Sequence, residues 1–502
     1  MQVVSGSAAR FRCLGAAAAK TTVIMGDEAM CLSLITRRTT LRLAGIAAAA
    51  VLVVGLSTNA WAWSYKEAAA PYAGTTINVL DEIQPLALEL QKLVPQFEDE
   101  TGIKVNLEIL SHPEVIAKGQ ADLLSGQGFY DAIMAHDAQM GLLLHADVLR
   151  SIDDLMADTA LTGPAFLPED ISQPGWDEAA KYRGQTYGLL YWNYNQVYWA
   201  RADLLEHPDE QAAFKAKFGY DLAPAETMQQ MRDIAEFFTR KSGEKLAGEV
   251  LENDFYGIVL EGVKWPTTFW LVWRDFIDNW GGSLFDAEGR PTADSPENIA
   301  AVQFWADLWQ YGPPGQAEYS ILDIPNVMGT GIAAQTLAFS DFVLGVDQPG
   351  QSPFHGKFTY RGVPRNADQA GPGRAFTGPS LMAISKHSEN AEATYLYLQW
   401  LVDQKTQMKA AKSLGGWIPL RNSAWNDPFF AEGHFSDLYG AMKSSLARGG
   451  ATVKAPNWFE IVDVGAGIVQ EIGNGSISAE EGMKTMQARI LEICETCVLL
   501  DE

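Results

Sequence analysis

The sequence predicts an α/β architecture in which a parallel sheet is covered by helices on both faces. Three observations predict it. Strand-like and helix-like segments alternate from residue 76 onward. Polar clusters recur where the first three strands end, which is where such sheets bind ligands. An export-type leader precedes a chain long enough for two or three domains.

The leader begins with the charged stretch Thr36-Arg37-Arg38-Thr39-Thr40-Leu41-Arg42. The apolar run Ala44 to Leu56 and the small-x-small site Ala60-Trp61-Ala62 follow it. That run is shorter than the about 20 residues a membrane span needs. Residues 1–62 therefore read as a signal peptide with an upstream segment, cleaved after about Ala62, and residues 63–74 as an Ala-rich spacer. The paired arginines suit the twin-arginine route, but Thr40 stands where that motif usually has an aromatic, so the general secretory route is equally open. No cysteine flanks the site for lipidation, so a soluble exported product is expected.

Residues 1–62 hold six of the 37 basic and two of the 62 acidic residues, so the remaining chain carries a net charge of −29. Such a surface disfavours nucleic acid and anionic lipid as partners. After cleavage two cysteines remain, Cys494 and Cys497, and a local disulfide formed after export is the expected state. Two thiols with no neighbouring histidine do not make a tetrahedral metal site. Neither a metal nor a cofactor is expected.

The elements run in order. Thr76 to Ile83 reads as a strand, and Leu86, Leu90, Leu93, Val94 and Phe97 have helical spacing up to Gly102. Lys104 to Leu110 is a second strand, Pro113 to Leu124 a helix with proline near its start, and Tyr130 to Ala135 a third strand. Asp81-Glu82, Ser111-His112 and His136-Asp137 sit at the strand ends. Tyr187 to Trp199 is too long for one strand and reads as two on one backbone, crossing between lobes and interrupted at Asn193 and Asn195. Residues 225–240, 265–280 and 296–309 read as helices. Gln335 to Phe339, Lys357 to Val363 and Ser380 to Ile384 read as strands, and 389–414 as a long helical region.

Glu100 to Val105, Tyr130 to Met134 and Ala135-His136-Asp137 together resemble the start of the extracellular solute-binding proteins of ATP-driven importers. The sugar-binding branch, typified by maltose-binding protein, is the nearest likeness. Tyr198 to Leu205 and Gly415-Gly416-Trp417-Ile418-Pro419 continue the resemblance, which runs in order from about 75 to 430. It implies a two-lobed periplasmic-binding-protein fold (type II) with hinge strands and a ligand cleft. Lobe one would comprise 75–190 with 340–384, and lobe two 195–335 with 388–502. It also implies a monomeric periplasmic receptor that delivers a sugar or polyol to an ABC permease in the inner membrane.

Sugars offer vicinal hydroxyls to planar polar side chains and C–H faces to aromatic rings. Asp137 matches the family position that bonds sugar hydroxyls; a helix N-cap is its alternative. Glu82 ends the first strand and faces the same cleft, with a structural role as its equal alternative, and His112 and His136 could donate to hydroxyls, although a lone histidine is more often a structural group. Trp192, Asn193, Tyr194 and Asn195 lie on the crossing segment, where alternation sends two of the four inward. Trp273 is the tryptophan expected to stack on ligand, although core packing is the default for its neighbours. Asp341, Arg374 and Trp417 complete the candidates. Met134 and Ala138 replace a tryptophan and an arginine of maltose-binding protein, which argues against a maltose-like ligand.

Two other classes compete. A secreted carbohydrate-active enzyme could use Glu82 with Asp137, or Asp153-Asp154, as acid and base. No nucleophile elbow, zincin motif or phosphate loop accompanies them. A metal receptor would need clustered ligands, and the seven histidines are scattered singly along the chain.

Overall fold

The computed structural model describes residues 63–171, 175–414 and 418–500. The expected leader and Trp417 lie outside the described residues. Strand β1 (Thr76–Glu82) has Ile77, Val79 and Leu80 fully buried, so both its faces are covered. Two helices follow, α1 (Pro85–Gln91) and α2 (Val94–Thr101), where one was expected. Pro95 has no N–H for a continuous helix, and it takes the second position of α2 instead. Gly102, at φ 73°, ends α2 in the left-handed conformation.

Strand β2 (Lys104–Leu110) leads to α3 (His112–Ser125), opened by the Ser111 N–H donating to Glu114 Oε2 at 3.1 Å. Strand β3 (Ala132–His136) runs directly into α4 (Asp137–His145). The long aromatic run does divide into two strands, β4 (Leu189–Trp192) and β5 (Gln196–Arg201).

Helix α5 (Met228–Phe238) is followed by α6 (Pro266–Trp270), which passes into a π-helical stretch over Leu271–Ile277 and a 3-10 turn to Trp280. Next come α7 (Pro296–Leu308), β6 (Gln335–Phe339), a 3-10 helix (Ser340–Gly345) and strands β7 (Phe358–Arg361), β8 (Ala375–Phe376) and β9 (Ser380–Ile384). The chain ends with α8 (Ala391–Leu401), α9 (Gln404–Ser413), α10 (Ser436–Leu446), β10 (Gly449–Gly450), α11 (Trp458–Gly473) and α12 (Ala479–Ile493). Cys494 and Cys497 form the local disulfide just beyond α12. Among the described residues, no helix is long and apolar enough to cross a membrane.

The first sheet has the order β2-β1-β3-β9-β4. Strands β1, β2 and β3 are parallel as expected, but β9 is antiparallel to both β3 and β4, so the sheet is mixed. The second sheet, β6-β5-β7, is antiparallel. Along β5 the side chains alternate between two cores: Val197 and Trp199 enter one, Tyr198 and Ala200 the other.

The chain passes between the sheets at 193–195 and again at 377–379. The second passage is later than the expected boundary near 340, because β7 pairs with β5 and stays with the second sheet. Helices α8 and α9 also depart from the expected division. They cover the first sheet, with Tyr397 packed on Phe97 at 5.2 Å and Ser413 Oγ donating to Glu89 at 3.0 Å. A helix that directly follows a strand packs back on that strand's own sheet. Helices α11 and α12 pack in the second core.

Candidate functional site

The parallel register of β1, β2 and β3 brings their polar ends together. Glu82 Oε2 accepts from His136 Nε2 at 2.7 Å and from His112 Nδ1 at 2.8 Å. Burial alone would raise the Glu82 carboxyl, but the two imidazole bonds outweigh it and bring the pKa down to about 2. His136 Nδ1 lies 3.0 Å from Ser380 Oγ on β9. Asp81 is held by the Tyr191 hydroxyl at 2.7 Å, and burial pushes its carboxyl up to about 7.

Asp137 is buried at the first position of α4, one residue inside the cap. Its Oδ1 accepts the Ala138 N–H at 2.9 Å and its Oδ2 the Thr452 N–H at 2.7 Å. Burial raises it to about 6, against those backbone bonds. The carboxylate therefore ties α4 to the segment that enters α11.

The passages between the sheets are bonded to one another. Tyr194 O accepts the Gly378 N–H and Asn195 O the Ser340 N–H, each at 2.9 Å. Asn195 Nδ2 donates to Met442 O on α10 at 2.8 Å. The Tyr194 ring packs against Trp192 at 4.9 Å and Phe339 at 5.1 Å. Its hydroxyl pKa is raised well above the usual value by burial, then by the charges of Asp137, Glu82 and Asp341. Those three acids thus share one electrostatic neighbourhood.

Beside this junction lies a small cavity, about large enough for one water molecule. Asn193, Ser340 and Asp341 supply its polar lining; Leu344, Ile418, Leu438, Tyr439 and Met442 supply the rest. Both amide atoms of Asn193, the Ser340 hydroxyl and Asp341 Oδ1 are buried and have no hydrogen-bond partner among the described residues. Buried polar atoms are nearly always paired in native proteins, so a convergent group of unpaired ones marks a place built to bond something else. Burial lifts the Asp341 carboxyl to about 6.

Of the expected residues, Asn193 and Asp341 line this pocket, and Trp192, Tyr194, Asn195, Glu82, His136 and Asp137 surround the junction next to it. Trp273 is elsewhere. It is buried in the second core, 5.1 Å from Trp458, with the Arg274 guanidinium 3.8 Å above its ring. Arg374 is also elsewhere, half-exposed and 3.8 Å from Asp278. Sequence reasoning missed the α10 wall, because Leu438, Tyr439 and Met442 have the spacing of any core-facing helix. It also missed that the histidines converge. Glu82, His112 and His136 form one group able to hold a metal ion, and Asp347, His355 and His434 form another.

Comparison with known proteins places this architecture. The model of one family, the bacterial extracellular solute-binding proteins, matches residues 92–435. The chain belongs to that family. A probable ABC transporter-binding protein of Deinococcus radiodurans is 24% identical over 307 residues, 59% of this solute-binding protein and 66% of the relative's length. A probable amino-acid ABC transporter periplasmic-binding protein of Sinorhizobium fredii is 23% identical over 71% of this chain and 75% of its own. An erythritol/L-threitol-binding protein of Mycolicibacterium smegmatis is 21% identical over 71% and 72%.

Among solved structures, an ABC transporter solute-binding protein of Agrobacterium radiobacter K84 in complex with ribitol superposes with a TM-score of 0.68. It is 21% identical and covers 84% of this chain and 99% of its own. Maltose-bound MalE3 of T. maritima gives 0.64 at 19% identity, covering 84% and 100%. The fold of this solute-binding protein is therefore the two-lobed α/β periplasmic-binding-protein fold.

Proposed function

We propose that this solute-binding protein is the periplasmic receptor of an ABC importer and that it captures a sugar or polyol. The observation that carries the reading is the small cavity where Asn193, Ser340 and Asp341 present unpaired polar atoms beside an apolar and aromatic wall. An amide, a hydroxyl and a carboxylate offer donors and acceptors to vicinal hydroxyls, while apolar side chains cover C–H faces. Proteins of this fold bind ribitol in one case and maltose in another, and one relative carries the name of an erythritol/L-threitol binder.

The relative named for amino-acid transport suggests a second ligand class. The pocket lining argues against it, because none of the eight residues described there is an arginine or lysine to pair with an α-carboxylate. Binding without turnover follows from the receptor role. The acids at the strand ends are engaged with His112, His136, Tyr191 and Thr452 rather than poised as an acid–base pair.

The test is thermal unfolding of the purified protein with ribitol, erythritol, mannitol, maltose and a set of amino acids. A true ligand at a hundred times its Kd stabilises by about 2.7 kcal/mol. Stabilisation by a polyol or monosaccharide, with the compound recovered unchanged, is expected. Stabilisation by amino acids alone, or consumption of the sugar, overturns the reading.

A further inference from the structure

We propose that Asp347, His355 and His434 form a divalent transition-metal site that clamps together, from behind, two walls of the pocket. The ligating atoms of the three residues all lie within 4.8 Å of one another. His434 Nε2 is 3.2 Å from Asp347 Oδ2, and His355 Nδ1 is 3.7 Å from Oδ1. Ligands around a tetrahedral Zn²⁺ at about 2.0–2.1 Å stand roughly 3.3 Å apart, which the His434–Oδ2 separation matches, while His355 closes on the ion by a small side-chain shift. The imidazole rings meet edge to face with centroids 5.0 Å apart, and both nitrogens donate to the Asp347 carbonyl, so each exchanges that N–H for the ion on binding and metal uptake releases protons.

The support around the carboxylate is that of a held ligand. Asp347 is fully buried, with Oδ2 accepting the Tyr360 hydroxyl at 2.7 Å and Oδ1 the Gly356 N–H at 2.6 Å. Such outer partners fix the orientation of a ligating group. The two histidine side chains are 36% and 38% exposed, so an ion reaches the buried oxygen from solvent through them. Two imidazoles with one carboxylate suit Zn²⁺ or a neighbouring first-row metal, whereas Ca²⁺ and Mg²⁺ call for a shell of oxygens.

The position in the fold gives the site its consequence. Asp347 lies two residues past the Ser340–Gly345 helix, and its N–H bonds Val343 O at 2.8 Å. His434 lies two residues before α10. Ser340, Asp341 and Leu344 from the first element face Leu438, Tyr439 and Met442 from the second across the pocket. An ion shared by Asp347 and His434 fixes the spacing of these walls. Resting on the receptor reading above, metal occupancy and ligand affinity are then coupled, and the coupling is reciprocal.

The test uses the metal alone, so its failure leaves the receptor reading untouched. Purified protein is stripped with a chelator and titrated with ZnCl₂, followed by calorimetry and by amide hydrogen exchange. One ion per chain is expected, with exchange slowed over 340–347 and 434–446. His355→Ala and His434→Ala are each expected to weaken binding roughly tenfold or more, while His145→Ala, at an exposed histidine, leaves it unchanged. His434→Gln keeps a donor for the Asp347 carbonyl and so preserves the fold if the alanine variant does not. No uptake of Zn²⁺ overturns the proposal. So does uptake that survives the His355 and His434 substitutions but is lost in His112→Ala, which would place the ion at the strand ends. Binding with unchanged exchange at both walls removes the clamp.

Discussion

Glu82 Oε2 stands 2.7 Å from His136 Nε2, and the same oxygen takes His112 Nδ1 at 2.8 Å. One carboxylate oxygen therefore joins the ends of β1 and β3 to the start of α3. Because the folded-state pKa of Glu82 is depressed to about 2 from an ordinary 4.5, its contribution is present above about pH 4.5 and is lost as the pH falls toward 2. Glu82→Gln is expected to cost up to about 3 kcal/mol at pH 7, with the gap to wild type closing below pH 4.5. Urea unfolding at a series of pH values measures it; a gap that stays constant would contradict the assignment.

Asp341 gives the opposite sign. Its carboxyl is raised from 3.8 to about 6 by burial, so ionising it opposes folding. The penalty is absent below about pH 3.8 and complete above about pH 6. Asp341→Asn is therefore expected to stabilise the ligand-free protein at pH 7–8 by about 1–3 kcal/mol. The same change should weaken binding of the stabilising polyol about tenfold or more, since a hydroxyl bond to a charged acceptor is replaced by a weaker one. Unfolding and calorimetric titration on one sample check both; a variant that gains neither stability nor a binding defect removes Asp341 from the pocket chemistry.

Trp273 is a core residue, and its substitutions separate stability from binding. Trp273→Ala is expected to cost about 3–5 kcal/mol through the cavity left against Trp458. Trp273→Phe should be milder and bind polyol with wild-type affinity. A Phe variant of normal stability that no longer binds would return this tryptophan to the site.

Two glycines make a paired test. An alanine Cβ at Gly378 would overlap the Tyr194 ring carbon Cζ and its hydroxyl, so the ring must leave the junction. Gly378→Ala is expected to lower both melting temperature and ligand affinity. Gly440 on α10 has nothing within 4 Å of such a Cβ, and Gly440→Ala should stabilise by about 0.5–1 kcal/mol with unchanged affinity. Differential scanning and titration of both variants report the contrast.

Much of the frame was legible because it rests on local patterns. Gln335–Phe339 and Ser380–Ile384 are strands with the expected bounds, each a short run set off by turn signals. The gathering of Glu82, His112 and His136 was half legible, since parallel strands place their ends side by side. What failed depended on distant packing or on assumed helix geometry. Residues 265–280 read as one α-helix, but a π-helical stretch over 271–277 interrupts it and changes which side chains share a face. Trp280 packs on Phe304 instead, at 4.8 Å. Nothing in the sequence announces that His355 meets His434, or that Leu438 and Met442, while packed in the first core, also border the cavity beside Asn193.

The antiparallel strand β9 has a consequence for how the chain is made. It fills the slot between β3 and β4, which follow one another early in the sequence but never touch as strands. Until residues 380–384 emerge, β3 and β4 are raw edges facing each other across a gap of roughly 10 Å, two strand spacings. Unpaired edges of this kind invite pairing with other chains. A chain stopped between Trp192 and Ser380 thus lacks the strand that joins β3 to β4, and its first sheet is left divided with two adhesive edges.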